Sequence, residues 1–381
     1  MSVSKRESQE ITKSAVDPPE MNTPAEILVF GQFARKEQAC LKEAARASAI
    51  SIYRAQSAHE AGAWLETHQP KAILLSDGAD DPMGIALGTR AQSRHRALPI
   101  LALANEPSDL VFTGAFSWGA DDVVSPERPS ALTQRLRALL SGTPQNQNSV
   151  LGTAVVAEPY APRRIAMARA LSNAGYQVLF AVNKEDAMEY SRATAVGVAI
   201  VSSNLCDDPE AFIRAAQERS PTNVIFSTEP RDFDPWYAHL GQHAQARVPD
   251  ASSPPENVVF LANELLRDSV QNLRQSPRFL YGTSIRFRSA GTEEDEIGFT
   301  YNISEGGLYI RTLAPPAEDR LWLELKPPHQ QTQVRLVGEV VWRRKFGSNE
   351  SATVPPGFAV RITEAAPSDL STWVEACRRA S

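Results

Sequence analysis

Short apolar runs alternate with amphipathic stretches along the first part of this chain, from residue 25 to residue 142. An apolar run of about four to eight residues is typical of a buried strand, whereas apolar residues that recur every three or four positions indicate a helix. Strands are predicted at 27–30, 72–75, 98–103 and 122–124, and helices at 35–47 and 130–140. Because strands and helices alternate, we expect a doubly wound α/β domain with helices on both faces of a parallel sheet.

The same order of elements recurs between residues 151 and 272. Residues 143–150 are rich in Gln and Asn, which is the composition of a linker. Ser253 and two following prolines are a start signal for the last helix of this segment. Strands are predicted at 153–156, 176–180, 198–201 and 223–226, and helices at 162–174 and 256–272. The recurrence predicts an internal duplication, with two α/β domains of one type in tandem.

A strand-rich pattern follows over residues 273–381. Its strands are predicted at 299–304, 308–312, 337–342 and 355–362. Alternation along the first of them places Asn302 and Ser304 on one face, with Tyr301 and Ile303 on the other. The acidic run at 293–296 is expected to be a solvated hairpin tip. The basic run at 343–345 is expected to be an exposed strand end, and the alternative is that it adds positive potential near an anionic ligand.

Composition and charge narrow the class of protein. Hydrophobic residues make up 42% of the 381 residues, which is enough for two or three ordinary domains, and the polar residues 1–24 are expected to be a disordered tail. A formal net charge of −6 without a basic stripe argues against nucleic acid as a partner. The cysteines are widely separated, and neither a signal peptide nor a membrane span is apparent. We therefore expect a cytoplasmic protein without a metal or other cofactor.

Two arginines at the start of the third segment, Arg274 and Arg278, have the spacing R-x-x-x-R. An arginine side chain can donate two hydrogen bonds at once to guanine or phosphate oxygens, and its planar group can stack on a purine. Pro277 disfavours a helix between the arginines. In an extended segment the two residues lie up to about 13 Å apart, a span that suits a ligand of dinucleotide size.

A second motif, N-x-S-x-x-G, begins at Asn302 and includes Ser304 and Gly307. The amide and the hydroxyl can form hydrogen bonds with base edges. Gly306 and Gly307 are expected to adopt the positive φ angles of a tight turn and to let a ligand approach the main chain. Taken singly, the motifs also fit chance arginine spacing, a simple hairpin turn or an N-glycosylation sequon.

In combination, the two motifs resemble the signature by which PilZ domains bind cyclic di-GMP, a bacterial second messenger with two guanines and two phosphates. The predicted strands at 337–342 and 355–362 also resemble later strands of the PilZ barrel. The resemblance implies an antiparallel β-barrel with a C-terminal helix over residues 273–381. It also implies a cyclic di-GMP site made by Arg274, Arg278, Asn302, Ser304 and Gly307.

Both α/β segments resemble the receiver domains of response regulators, most clearly at Trp118-Gly-Ala-Asp-Asp122. Phosphoryl transfer in receivers needs an acidic pair that holds Mg²⁺, an aspartate nucleophile, a hydroxyl residue and a lysine. In the first segment, a one-residue slip would bring Asp77 into the phosphoacceptor position. Without that slip, Gly31 and Gln32 stand at the positions of the acidic pair and Ser76 at that of the nucleophile. Ala104 stands where the hydroxyl residue is expected and Pro126 where the lysine is expected.

The second segment departs from the receiver pattern in a similar way. Glu158 could be half of an acidic pair and Thr228 is retained, but Ser202 or Ser203 stands at the nucleophile position and no lysine is apparent near 248–249. Both segments are therefore predicted to be pseudo-receivers that serve as interaction modules. Because no catalytic triad, Walker loop or zinc spacing occurs, we predict that the protein is not an enzyme.

These predictions describe a bacterial effector in which cyclic di-GMP binding alters the interaction with an unidentified protein partner. The last helix of the second segment leads almost directly to Arg274, so ligand binding is expected to order this joint and to fix the barrel against the receiver. Two alternatives stay open, namely a ligand-independent scaffold and a phosphorelay receiver that uses Asp77.

Overall fold

The computed structural model describes residues 25–76, 78–91, 98–142, 151–193, 196–249, 253–267, 276–347 and 354–380. The predicted tail at 1–24 and the predicted linker at 143–150 lie outside the described residues. Within the described ranges, two α/β domains precede a β-barrel along the chain. No helix in this part of the chain is both long and apolar enough to span a bilayer.

The first domain is a parallel sheet of five strands between two layers of helices. Its strands are β1 (Ala25–Phe30), β2 (Ile50–Ala55), β3 (Ala72–Ser76), β4 (Ile100–Leu103) and β5 (Asp122–Val124). Its helices are α1 (Arg35–Ala47), α2 (Ala58–Thr67), α3 (Pro82–Ala91), α4 (Asp109–Ser117) and α5 (Pro129–Ser141). The strand order β2-β1-β3-β4-β5 is that of a doubly wound, flavodoxin-like sheet, as predicted.

The second domain repeats this architecture with the order β10-β9-β8-β6-β7, which confirms the predicted duplication of the fold. Its strands are β6 (Gly152–Ala157), β7 (Tyr176–Ala181), β8 (Val196–Ser202), β9 (Asn223–Ser227) and β10 (Ala246–Arg247). Its helices are α6 (Ala161–Asn173), α7 (Lys184–Ala193), α8 (Pro209–Ala216), α9 (Phe233–Leu240) and α10 (Asn257–Arg267). Helix α10 begins after a turn at Pro255, four residues later than Ser253.

The third domain is a closed antiparallel barrel with a C-terminal helix, as predicted. Its elements are β11 (Phe279–Leu280), β12 (Ser284–Ser289), β13 (Glu296–Ser304), β14 (Gly307–Arg311), β15 (Arg320–Leu325), β16 (Val334–Arg344), β17 (Gly357–Ala365) and α11 (Pro367–Ala380). Six strands follow the order β13-β12-β15-β16-β17-β14, and the pairing of β13 with β14 closes the ring. The short strand β11 adds to β13 beyond the end of β12.

The barrel packs on helix α4 of the first domain through aromatic side chains. The ring of Phe299 on β13 lies 5.1 Å from the ring of Phe112 and 5.6 Å from that of Phe116, and all three side chains are buried. At the start of α4, the carboxylate of Asp109 accepts a hydrogen bond of 2.5 Å from the backbone nitrogen of Ser284. This face of α4 is therefore covered by the barrel.

A buried polar cluster joins helix α5 to the barrel. The guanidinium of Arg135 lies 3.4 Å from Asp122 and 2.6 Å from Glu296, and it donates a hydrogen bond of 3.1 Å to Thr312. Asp122 also accepts hydrogen bonds from the backbone of Leu313 and the hydroxyl of Thr312, at 2.8 and 3.1 Å. Burial raises the pKa of the Asp122 carboxyl, while the Arg135 charge and these hydrogen bonds act against that rise. In this cluster the buried charges of Asp122 and Arg135 have charged or hydrogen-bonding partners in place of water.

The acidic hairpin tip between β12 and β13 also contacts helix α5 and its N-terminal flank. The hydroxyl of Ser130 donates a hydrogen bond of 2.7 Å to the Glu294 carboxylate, and Arg128 donates one to the backbone oxygen of Asp295. The hairpin and its solvated tip were predicted correctly, since residues 291–295 are exposed, but the contacts of the tip with the first domain were not predicted. Its negative charges lie against donors from the first domain.

Arg311, at the end of β14, lies where all three domains meet. It donates a hydrogen bond of 2.9 Å to the backbone oxygen of Ala120 in the first domain and forms an ion pair of 3.0 Å with Glu256, just before α10 of the second. Its guanidinium also lies 3.4 Å from the centroid of the Phe116 ring. Only 3% of Arg311 is exposed, so this one side chain connects the barrel to both α/β domains.

Candidate functional site

Strand β11 places Arg278 of the first motif next to the second motif. Phe279 pairs with Ile303 and Leu280 pairs with Asn302 in an antiparallel ladder. Continuing this register by one residue places Arg278 beside Ser304. Arg278 is exposed, and Arg274 lies outside the described residues.

Asn302 and Ser304 lie on the outer face of the barrel. Asn302 pairs with Tyr309 and Ser304 pairs with Gly307, whereas Ile303 between them belongs to the barrel core. Residues directly opposite in an antiparallel ladder share a face. The prediction from strand alternation that Asn302 and Ser304 lie on the same face of the strand is therefore confirmed. Their exposed fractions are only 3% and 8%.

A β-bulge changes the position of Tyr301. The register between β13 and β14 shifts between Thr300 and Asn302, so Tyr301 lies on the outer face instead of facing the core with Ile303. The prediction that Tyr301 and Ile303 share a face is wrong for this reason. The Tyr301 hydroxyl donates a hydrogen bond of 2.8 Å to the backbone oxygen of Glu256, and burial raises its pKa, so the phenol stays protonated.

The turn between β13 and β14 is held by helix α11. The Ser304 hydroxyl donates a hydrogen bond of 3.2 Å to the backbone oxygen of Gly307 across the turn. Glu305 accepts a hydrogen bond of 3.1 Å at its backbone oxygen from the indole of Trp373, and its carboxylate accepts two from Arg378. The motif spacing gave no signal for Trp373 or Arg378, because both come from the C-terminal helix.

The two glycines of the turn have different roles from those predicted. Neither Gly306 nor Gly307 has a positive φ angle, so the turn does not depend on left-handed backbone geometry. An added Cβ at Gly307 would collide with the backbone oxygen of Val360 on β17, whereas one at Gly306 would meet no atom within 4 Å. Gly307 is required by the close approach of β14 to β17.

This difference gives a prediction for the motif. We expect Gly307→Ala to lower the free energy of unfolding by about 1–3 kcal/mol, because the β14–β17 pairing must shift to accept the methyl group. Gly306→Ala, one residue away, is the matched control and should change stability by less than about 0.5 kcal/mol. Urea denaturation of both variants provides the measurement. Equal losses would contradict the role given to Gly307.

Part of the basic run at the end of β16 makes hydrogen bonds within the barrel domain. The Arg343 guanidinium donates hydrogen bonds of 2.7 Å to the backbone oxygen of Pro316 and to the Asp319 carboxylate. Arg344 is buried and donates to the backbone oxygen of Val354 at 2.5 Å. The expectation of an exposed strand end is therefore wrong for Arg344, and the charge of Arg343 has a carboxylate partner.

The first domain has no room for an acidic side chain at Gly31. Gly31 follows β1 with φ near +129°, and an added Cβ would collide with the Cβ of Ser76 at the end of β3. Ala104 follows β4 where a receiver needs a hydroxyl, and the alternative phosphoacceptor Asp77 lies outside the described residues. Close packing thus excludes a side chain at Gly31, whereas Gln32, the other position of the expected acidic pair, is exposed.

In the second domain, the retained carboxylate has an arginine partner. Glu158 follows β6, is almost fully buried, and pairs at 3.2 Å with Arg163, which also lies 3.3 Å from Glu229. The Thr228 hydroxyl donates to the backbone oxygen of Pro249 at 3.3 Å. No group of three or more His, Cys, Asp or Glu side chains is arranged to hold a metal ion in the described ranges.

Comparison with protein families and with known proteins identifies one domain. Residues 272–377 match the model of the PilZ domain family. No curated protein sequence matches the chain significantly.

Solved structures resemble separate parts of the chain. The receiver domain of the sensor histidine kinase PA1611 from Pseudomonas aeruginosa is 20% identical, covering 32% of this chain and 100% of its own, with a TM-score of 0.28. The E. coli YcgR PilZ domain with c-di-GMP is 16% identical, covering 29% and 94%, with a TM-score of 0.22. The inhibitor of motility from Bacillus subtilis is 20% identical over 29% of this chain, with a TM-score of 0.24, and the match spans 51% of that protein.

The strand orders and the family match assign a fold or a family to each of the three domains. Both N-terminal domains have a flavodoxin-like, doubly wound fold by their sheet topology. Residues 272–377, which contain the two motifs and the closed barrel, are a PilZ domain.

Proposed function

We propose that the protein is a non-enzymatic, cytoplasmic effector that binds cyclic di-GMP at the outer face of its PilZ barrel. The observation that carries this proposal is the strand pairing through β11 and β14, which gathers Arg278, Asn302, Ser304 and Gly307 within one short stretch of that face. Three free cysteines, Cys40, Cys206 and Cys377, are consistent with a reducing compartment.

The chemistry of the four residues matches the ligand. Arg278, exposed just before β11, can donate paired hydrogen bonds to a guanine edge or to a phosphate. Asn302 offers an amide donor and acceptor, and Ser304 a hydroxyl, beside the backbone of Gly307. We propose Arg274 as the second arginine of the site, which would let two cations enclose one dinucleotide.

The receiver-like domains are proposed to convert ligand binding into altered contact with a protein partner. In the structure, the first domain already uses α4 and α5 to hold the barrel through Asp109, Phe112 and Arg135. An external partner must therefore use another surface of this domain, or bind after the barrel has moved away. This arrangement favours a switch of domain positions as the output.

The arginine gives the direct test of ligand binding. We expect Arg278→Ala to weaken cyclic di-GMP binding at least tenfold, about 1.4 kcal/mol, because a charged paired donor is lost. Arg335→Ala is the control, since Arg335 is an exposed arginine on β16, and β16 pairs with neither β11 nor β13. Isothermal titration calorimetry on the full chain gives the affinities.

Two results would contradict the proposal. An unchanged affinity in Arg278→Ala would show that the dinucleotide binds elsewhere. A wild-type protein that takes up no cyclic di-GMP would instead favour the ligand-independent scaffold.

A further inference from the structure

The polar pair of the proposed site is hardly accessible in this arrangement of the domains. Asn302 is 3% exposed and Ser304 is 8% exposed, although both lie on the outer face of the barrel. A ligand the size of two nucleotides needs the amide group of Asn302 to be reachable from solvent. In this structure the Asn302 side chain is therefore closed to a ligand of that size, between Leu280 on one side and Tyr309 on the other.

Helix α10 of the second domain packs on the barrel next to this pair. Tyr309, which lies directly opposite Asn302 in the ladder, packs against Tyr301 with ring centroids 6.2 Å apart. Phe260 of α10 packs edge-on against Tyr301 at 6.1 Å. These three rings form one buried cluster, which we call the outer aromatic cluster, and Leu280 on β11 packs against it.

Polar contacts hold the N-terminal end of α10 against the same face. The Tyr301 hydroxyl donates to the backbone oxygen of Glu256 at 2.8 Å, and the Glu256 carboxylate pairs with Arg311 at 3.0 Å. Arg311 and Gly307 are the two ends of β14, a strand of five residues. The contacts that position α10 are thus made by the strands that also carry the proposed ligand motif.

Phe260 serves this contact rather than the core of its own domain. The core between α10 and the second sheet is made by other side chains of the helix, among them Val258, Ala262 and Leu265. Phe260 is 8% exposed and belongs to the outer aromatic cluster. Its truncation should therefore loosen α10 from the barrel more than it weakens the second domain.

We propose that α10 is an autoinhibitory element, and that cyclic di-GMP binds fully only after α10 leaves the outer aromatic cluster. This inference rests on the proposed function and concerns how the binding of cyclic di-GMP is regulated. If the competent state is a minor population, the apparent dissociation constant is raised by the inverse of that population. By linkage, any change that favours release of α10 must tighten ligand binding, and ligand must in turn favour release.

The test is a titration of the full-length chain with cyclic di-GMP. Phe260→Ala is expected to bind about tenfold more tightly than wild type, because release of α10 then costs less. Phe346→Ala is the matched control. Phe346 packs on the apolar core of the first domain, at a different contact of the barrel, and its loss should leave the affinity within about twofold of wild type.

A second variant keeps the test decisive if Phe260→Ala does not fold. Glu256→Gln removes the ion pair with Arg311 at nearly constant size and is expected to tighten binding about threefold. Hydrogen exchange should also become faster in α10 when the ligand is added to the wild type.

The outcomes separate the two proposals. Unchanged or weaker binding in Phe260→Ala, with normal binding by the wild type, would overturn autoinhibition and leave the proposed function intact. If neither wild type nor either variant binds the dinucleotide, the proposed function fails and the inference fails with it. Binding that appears only in the variants would support both.

Discussion

Replacing Arg135 by alanine is expected to lower the free energy of unfolding by about 3–5 kcal/mol and to loosen the barrel from the first domain. Arg135 is 1% exposed and lies between two carboxylates, those of Asp122 and Glu296. Without its positive charge, the fully buried Asp122 carboxylate and the partly buried Glu296 carboxylate both lose their cation. A buried charge that loses its partner is among the most destabilising changes in a protein.

Arg137→Ala is the matched control, because Arg137 lies on the same helix and is exposed. Its hydrogen bond of 3.0 Å goes to the backbone oxygen of Ala47 at the surface. We expect this variant to stay within about 0.5 kcal/mol of wild type. Urea denaturation gives the stabilities, and small-angle scattering gives the separation of the domains. A compact Arg135→Ala protein with wild-type stability would contradict the role of the cluster.

Replacing Trp373 by alanine is expected to cost about 3–5 kcal/mol, mainly in the barrel. Trp373 is fully buried in the barrel core, where helix α11 closes the strands. Its indole also holds the backbone oxygen of Glu305 in the turn of the ligand motif. Truncation therefore leaves a large cavity and frees the turn that carries Ser304 and Gly307, so ligand binding should weaken as well.

Two further variants separate these effects. Leu370→Ala changes an exposed side chain of the same helix, 41% accessible, and should have little effect on stability or binding. Trp373→Phe keeps most of the apolar volume but removes the indole donor, so it should lose less stability than Trp373→Ala. Differential scanning calorimetry measures the thermal stabilities of the three variants and so ranks them. Equal stability of Trp373→Ala and Leu370→Ala would show that α11 is not part of the core.

Local patterns predicted four of the five strands of the first domain but only two of its five helices, α1 and α5. Helix α1 and strand β5 have the predicted bounds, Arg35–Ala47 and Asp122–Val124. Both are specified by nearby residues, since α1 buries Leu41, Ala44 and Ala45 at helical spacing. Strand β2 was missed. It pairs on one side only, and four of its six residues are half buried, so it lacks a continuous apolar run.

The ligand motif was predictable to the extent that it is local. Asn302, Ser304 and Gly307 lie within one hairpin, so alternation and turn spacing suffice to group them. The bulge that moves Tyr301 to the outer face left no local signal, because an extra residue in one strand is defined by its partner strand. The collision that requires Gly307 likewise involves Val360, more than fifty residues later in the chain.

The three-domain order, the alternating elements and the motif of the PilZ barrel could be predicted from the amino-acid sequence, because periodicity and turn residues act over short distances. Which charges are buried and how the domains meet depend on the folded arrangement of distant segments. No local pattern predicted that Asp122, Arg135 and Glu296 come together, yet they form one cluster at an interface although Glu296 lies 174 positions after Asp122. Contacts of this kind depend on complementary shape and charge across two folded surfaces, which no local pattern encodes.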